Sequence, residues 1–358
     1  MKILITGARA PVALELTRRF SSAGHEVHLT DSVRFPLAGF SRWAKAYHRL
    51  PPARQQTENF QSDLRALRES FDLLIPTCED VLWVSQTTSG FCPDIEVLKK
   101  LHNKWLFMQE AQALGLSTPQ SWLIEDRSAA VALWRQEGPL VFKPVYSRFA
   151  THTLINPTRE QQLPVCNHNW VAQEYWEGRH LCSFSVAHQG IPKAHVVYEP
   201  RIQFNGGAGV LIRSVTHDGV DRWVRHLISN LNLTGQFAFD FIENKQGEIA
   251  CLECNPRTTS GVHLFEDNHE LAQAYLDQIE GCIVPRPNRK SMLTLAAFFA
   301  NPVRCLVERA KPIIWQLNDP MPALGQALSL LEFLNLGRQQ GFRDATTHDI
   351  AWDNTSEL

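Results

Sequence analysis

Chemistry is first readable at Asp240 and Glu253. Each interrupts an apolar run, Asp240 within Phe237–Ile242 (FAFDFI) and Glu253 at the end of Glu248–Glu253 (EIACLE). Between them Asn244-Lys-Gln-Gly247 reads as a turn, with glycine where positive φ costs least. Two strands paired across that turn would project both carboxylates from one face of a sheet. Asn255, just past Glu253, shares that face while the strand lasts. Two carboxylates and an amide are oxygen ligands of the kind Mg²⁺ takes, usually with substrate phosphates completing its shell. The competing reading is a pair of acids on a solvated face, but the neighbours of Glu253 are of buried type. Cys251-Leu-Glu-Cys254 is a C-x-x-C without a second pair beside it. On a regular strand its sulfurs point to opposite faces, which argues against zinc and redox roles.

The frame that must position these groups is long enough for two or three units: 358 residues, 44% hydrophobic and 20% charged. With 35 basic and 37 acidic residues the net charge is −2, which argues against nucleic-acid binding by bulk charge. Met1-Lys2 leads straight into a strand pattern, and Leu293–Ala300 is too short to span a bilayer. No membrane role and cytoplasmic residence are therefore expected. Eight scattered cysteines in a chain of this size do not suggest a disulfide framework.

Lys2–Thr6, a helix begun by Pro11, and Glu26–Leu29 ending near Asp31 form a Rossmann-like βαβ start. A dinucleotide fingerprint would need glycines where Arg9 and Val12 stand. Phe71–Thr77 is a further buried strand, followed by Cys78-Glu79-Asp80, which reads equally as a ligand contact or a helix N-terminus. The spacing of Leu98, Leu101, Trp105, Met108 and Ala111 predicts one helix over Ile95–Leu116. Lys143 lies between apolar neighbours in a short strand and needs an anionic partner. Trp170–Trp176, Phe184–Ala187, Ala194–Tyr198 and Leu211–Val215 read as further strands, and Arg222–Leu231 as a helix. Arg201, the loop Asn205–Gly209, Arg213 and His263 are candidates for contacting a substrate acid, with core packing the stronger reading for His263. Past residue 280, Leu324, Ala327, Leu328, Leu331 and Leu334 form a stripe expected to pack against the rest of the protein.

Together these pieces resemble the ATP-grasp superfamily over roughly residues 1–280. Asn103-Lys104 with Gly115 and Pro119 is similar to a segment whose lysine contacts ATP phosphate, with Asn103 in place of the usual Asp. Lys143-Pro144 resembles the lid-strand lysine on the α- and β-phosphates. Gln173-Glu174-Tyr175-Trp176 before Glu177-Gly178 looks like the adenine hinge, where backbone groups at Glu174–Trp176 would hold the base. Asp240, Glu253 and Asn255 match the Mg²⁺ ligands (Mn²⁺ being a possible substitute). Arg257 in Asn-Pro-Arg is similar to the arginine that steadies the reacting intermediate in biotin carboxylase and the carbamoyl-phosphate synthetase large chain. Two departures stand out. Ser147–Thr151 has no glycine where the family's lid loop is glycine-rich, which implies either that hydroxyls or Arg148 hold phosphate or that the lid closes differently. His180 stands where a ribose-binding acid is usual.

The resemblance implies a mixed α/β and α+β fold. A Rossmann-like pre-ATP-grasp domain (1–100) would precede a two-subdomain ATP-grasp fold (101–280, lid about 120–175) and a small C-terminal helical extension (281–358). It implies an ATP-dependent ligase that activates a carboxylate as an acylphosphate for an amine or thiol. Partners would then be small molecules, with a homodimer compatible. The rival readings are an NAD(P)-dependent oxidoreductase built on the N-terminal unit and a catalytically silent nucleotide-binding module.

Overall fold

The structure is a computed structural model that describes residues 1–147, 152–163, 170–203, 209–340 and 345–352. The N-terminal part alternates strand and helix: β1 (Lys2–Thr6), α1 (Pro11–Ser22), β2 (Glu26–Asp31), β3 (Ala46–Arg49), α2 (Thr57–Arg68), β4 (Leu73–Ile75) and α3 (Val81–Thr87). The strands form a parallel sheet in the order β3-β2-β1-β4. Ile3, Leu4 and Ile5 are fully buried, as strands covered by helices on both faces require. Pro11 opens α1, where its missing N–H costs nothing.

The predicted helix over Ile95–Leu116 is two helices, α4 (Ile95–His102) and α5 (Lys104–Ala113). Asn103 causes the break. Its backbone is extended, and its Oδ1 accepts from the N–H groups of Trp105 and Leu106, each at 3.0 Å, capping α5. Lys104 thereby becomes the first residue of a helix rather than one of its interior positions.

A small sheet follows, from β5 (Ser121–Ile124), α6 (Arg127–Gln136), β6 (Leu140–Pro144), β7 (Leu154–Ile155) and β8 (Trp170–Glu174), in the order β5-β8-β6-β7. The large sheet is built from β9 (Arg179–His188), β10 (Ile191–Gln203) and β11 (Gly209–Val215). After α7 (Asp218–Asn230), β12 (Gly235–Glu243) and β13 (Ile249–Asn255) complete its functional edge. Helix α7 begins earlier than the sequence pattern suggests, because His217 Nδ1 caps it by accepting from Val220 N–H. One face of the large sheet packs on α5 and α7 through Phe107, Trp223, Phe237, Phe239 and Phe241. The other meets α1 through Phe184, Val196, Leu264 and Tyr275.

Beyond α8 (Glu270–Tyr275) the chain is not purely helical. β14 (Lys290–Met292) and β15 (Lys311–Pro312) extend the large sheet, with α9 (Thr294–Ala300) and α10 (Pro302–Val307) between them. The chain ends in α11 (Met321–Gln340) and a return segment over 345–352 that lies on the N-terminal sheet region, where Trp83 Nε1 donates to Ile350 O. Helix α11 packs by the face opposite to the one expected. Leu324, Leu328, Leu331 and Leu334 are exposed. The buried side is Pro322, Gly325 and Ser329, with Glu332 accepting from the N–H groups of Arg34 and Phe35. Gly325 sets this choice: a Cβ there would lie 2.4 Å from the Phe40 ring. No helix among the described residues is long and apolar enough to cross a membrane.

Candidate active site

Strands β12 and β13 pair antiparallel across the Asn244–Gly247 turn, where Asn244 Oδ1 accepts from Gln246 and Glu248 N–H and Gly247 has φ +81°. The register sets Asp240 opposite Glu253 and Ala238 opposite Asn255, so both acids and the amide share one face. Asn255 Nδ2 lies 3.4 Å from Asp240 Oδ2 and 3.4 Å from Glu253 Oε1. A β-bulge follows the Asp240–Glu253 pair, with Leu252 as the extra residue. The bulge corrects the geometry expected for Cys251 and Cys254. Both sulfurs lie in the core on the α7 side, packed with Phe239 and Phe241.

Two lysines converge on Glu253. Lys104 Nζ is 3.3 Å from Glu253 Oε2 and donates to Ser147 O at 2.7 Å. Lys143 Nζ donates to the carbonyl of the bulged Leu252 at 2.9 Å. Burial would raise both carboxyls. At Glu253 the two ammonium groups overcome it and hold the carboxyl low. At Asp240 burial and the Glu253 charge act together and push the carboxyl up. Burial also lowers Lys143 to about 8 against the pull of Glu253. The two carboxylates fit a divalent cation, which would relieve the repulsion between two half-buried acids. Asn255 turns its Nδ2 to them and its Oδ1 to Arg257, so its amide would have to turn over to add an oxygen ligand. Among the described residues no cluster of three or more His, Cys, Asp or Glu could hold a metal alone. Mg²⁺ commonly completes such a shell with water and substrate phosphates.

Arg257 leaves the end of β13 and is fixed from two sides. Its guanidinium donates to Asn255 Oδ1 at 3.1 Å and, through Nε, to Glu79 Oε1 at 2.9 Å. Glu79 Oε2 is 3.3 Å from His102 Nε2. Burial brings His102 down to about 4, so it is neutral near pH 7.

Residues 101–261 match the family described as the ATP-grasp domain. This segment is an ATP-grasp domain. Comparison with curated protein sequences returns no match. Among solved structures, N5-carboxyaminoimidazole synthetase from Staphylococcus aureus superposes with a TM-score of 0.65 at 11% identity, over 81% of this chain and 80% of that one. The biotin carboxylase domain of 2-oxoglutarate carboxylase from Hydrogenobacter thermophilus, solved with MgADP and bicarbonate, gives 0.63 at 13%, over 81% and 73%. L-amino acid ligase from Bacillus licheniformis gives 0.63 at 17%, over 81% and 78%. At these identities the likeness is one of fold.

Within the ATP-grasp domain, Gln173–Trp176 links the small sheet to the large one. Glu174 N–H donates to Gln120 O and Tyr175 N–H to Pro139 O, each at 2.9 Å. The Trp176 N–H makes no hydrogen bond among the described residues. The Gln173 side chain is buried and donates to Ser121 Oγ at 3.1 Å, so it serves the sheet rather than an open cleft. Gly178 passes so close to β12 that a Cβ would lie 2.0 Å from Glu243 O. His180 is exposed on β9, opposite Ile242 and on the face that carries Cys182 and Asp240.

Other candidates fall elsewhere. Arg201 and Arg213 gather on Glu199 at 3.2 and 2.5 Å, with Arg179 at 2.7 Å. Glu199 follows Tyr198, so this cluster faces away from the acids. His263 is buried and 3.2 Å from Glu15 Oε2. Arg148, Phe149–Thr151 and 205–208 lie outside the described residues. In the N-terminal sheet region Asp31 is taken by Arg9, whose Nε donates to it at 2.9 Å while NH1 reaches Asp349 at 2.6 Å. The acid that would suit a ribose is thus closed off by an ion pair.

Sequence reasoning missed Glu79 and His102 as neighbours of Arg257. It also missed Cys182 and Tyr198, which continue the Glu253–Asp240 row across β9 and β10. Tyr198 OH and Thr259 Oγ1 close that row at 3.4 Å. The only advance signal was the position of Glu79 at the C-terminal end of a parallel strand.

Proposed function

We propose that this protein is an ATP-dependent ligase that activates a carboxylate as an acylphosphate and passes the acyl group to an amine or thiol. The observation that carries this is the in-register pair Asp240–Glu253, with Asn255 beside it and Lys104 and Lys143 converging on Glu253. That arrangement suits a triphosphate, whose charge must be neutralised for transfer. The fold likeness to solved ligases supports the same reading.

In this reading Asp240, Glu253 and Asn255 hold Mg²⁺, which supplies positive charge next to the phosphates. Lys104 and Lys143 add fixed cations. The Trp176 N–H, which has no hydrogen bond among the described residues, and the carbonyl of Glu174 receive the adenine edge, and His180 reaches a ribose hydroxyl. A substrate carboxylate oxygen bonds to the γ-phosphorus. The bond from that phosphorus to the β–γ bridging oxygen breaks, and ADP leaves with the electron pair. The nucleophile then attacks the acyl carbon, the carbon–oxygen bond to phosphate breaks, and the amine or thiol proton goes to solvent. Arg257, held by Glu79 and Asn255, faces the charge that develops on the acyl oxygen. By the same reading residues 1–100 form the pre-ATP-grasp unit, 101–280 the catalytic unit with its lid at about 120–175, and 281–358 the extension.

The test is ADP and phosphate release with ATP, Mg²⁺ and a library of acids offered with amines and thiols. Turnover that depends on one acid and one nucleophile, and is abolished in Glu253→Gln, is the expected result. ADP release that survives Glu253→Gln overturns the metal assignment. ATP binding without turnover across the library selects the silent module. Tight NADPH binding without ATP binding selects the oxidoreductase, a reading the Arg9–Asp31 pair opposes.

A further inference from the structure

Helix α11 has its apolar face on the outside. In a helix that serves only its own chain, leucines face the core and polar residues face water. Here Leu324 is 64% exposed and Leu331 is 56% exposed, with Leu328, Leu330, Leu334 and Met321 also exposed. The packed side carries Gly325, Ser329 and Glu332 instead, and the last two spend their polar atoms on Phe35 O and on the N–H groups of Arg34 and Phe35. We infer that the exposed face of α11 is the contact surface for a second copy of this chain, with the two α11 helices packed against each other about a two-fold axis.

Three features of the face select this occupant. The first is charge. Glu332 is turned inward, so the exposed stretch from Met321 to Leu334 presents no charged side chain. Such a face offers nothing to an acidic or basic peptide. It is complementary to itself, as a two-fold contact requires.

The second feature is spacing. Met321, Leu324, Leu328 and Leu331 recur at alternating intervals of three and four, the period of a helix–helix seam. The face is therefore matched to another helix of the same period, and antiparallel two-fold pairing brings leucine onto leucine along its length.

The third is area. The exposed apolar side chains offer on the order of 500 Å² per chain, so a pair buries roughly 1,000 Å², the size at which a contact becomes specific. The inference does not depend on the ligase reading.

Sedimentation equilibrium of the full chain tests it. The expected mass is twice 40.7 kDa at micromolar concentration. Leu324→Glu/Leu331→Glu should weaken the dimer at least 100-fold and give monomer. Both positions are exposed, so circular dichroism should be unchanged. Phe299→Glu, on the separate exposed patch of α9 and α10, should leave the dimer intact. Leu328→Cys should cross-link to its own copy under mild oxidation, with the disulfide mapped to residue 328 in both chains. A monomeric wild type overturns the inference, and so does a dimer that survives the double substitution. So does a monomer that pellets with phosphatidylcholine–phosphatidylglycerol vesicles through α11, since lipid would then be what covers the face.

Discussion

Glu79 and Arg257 form a partly buried ion pair, Oε1 to Nε at 2.9 Å, although they are 178 positions apart in the chain. Glu79 lies at the end of the N-terminal parallel sheet region, and Arg257 follows the strand that carries Glu253 and Asn255. The pair ties the two regions together at the site. It also fixes the guanidinium plane, because Nε is spent on Glu79 while a terminal nitrogen reaches Asn255 Oδ1. On the proposed ligase reading, Glu79 would act through Arg257 as a positioning residue.

Replacing Glu79 should therefore lower kcat more than it raises the KM for ATP. Glu79→Ala leaves the guanidinium held only from the Asn255 side, and kcat should fall about 100-fold, the scale seen on loss of one oriented donor. Glu79→Gln keeps an acceptor in place and should recover part of that loss. If the KM for ATP rises while kcat holds in both variants, the orientation argument is wrong.

Lys104 is held by Ser147 O and Glu253 at once, so Lys104→Ala removes a cation from Glu253 and a tether from the small sheet. ATP affinity measured by calorimetry should fall at least tenfold, which is about 1.4 kcal/mol. Lys104→Arg should restore less than half of this, because a planar fork does not reproduce a compact ammonium. Unchanged ATP affinity in Lys104→Ala would remove Lys104 from the phosphate site.

The acid pair was legible in the sequence because a charged residue inside an apolar aromatic run has few structural uses. The turn and the strand period then set both acids on one face. The break before Lys104 was legible in principle, since Asn103 is a capping type, but the hydrophobic spacing ran on through it and won the reading. Glu79 and Arg257 could not be paired from sequence, because nothing local links the end of β4 to the end of β13. The outward face of α11 was invisible for another reason. Periodicity shows that an apolar face exists, but the side that packs was decided by Gly325 against Phe40 and by Glu332 reaching Arg34 and Phe35. The bulge at Leu252 likewise left no mark in the pattern, and it reversed the geometry of Cys251 and Cys254.

Gly178 should tolerate no side chain. A Cβ would fall 2.0 Å from Glu243 O, a backbone atom that cannot rotate away. Gly178→Ala must push the hinge segment off β12, at a cost of about 1–3 kcal/mol for overpacking. Because Glu174–Trp176 would move with it, ATP affinity should fall together with thermal stability. A variant that melts at the wild-type temperature and binds ATP normally would mean that the hinge is not seated on β12.

The last prediction concerns pH. Glu15 is buried in α1, with Arg19 Nε 2.7 Å and His263 Nδ1 3.2 Å from its carboxylate oxygens. Burial alone would raise its carboxyl, but Arg19 and then His263 outweigh it and hold it well below the usual range. A carboxyl depressed in the folded state binds its proton more weakly there than in the unfolded chain. Its stabilisation is therefore complete above the unfolded value near 4.3 and is lost as the pH falls from there towards the folded value. Glu15→Gln removes the charge but keeps the shape, leaving Arg19 buried beside a neutral amide. At pH 7 the variant should unfold more easily by about 3 kcal/mol, the lower end for a broken buried pair. At pH 3.5 the unfolded wild type has already taken up its proton, so the gap should narrow. Urea midpoints of both proteins at the two pH values measure this directly. A gap that stays constant would show that packing at Glu15, rather than its charge, holds α1 against the segment around His263.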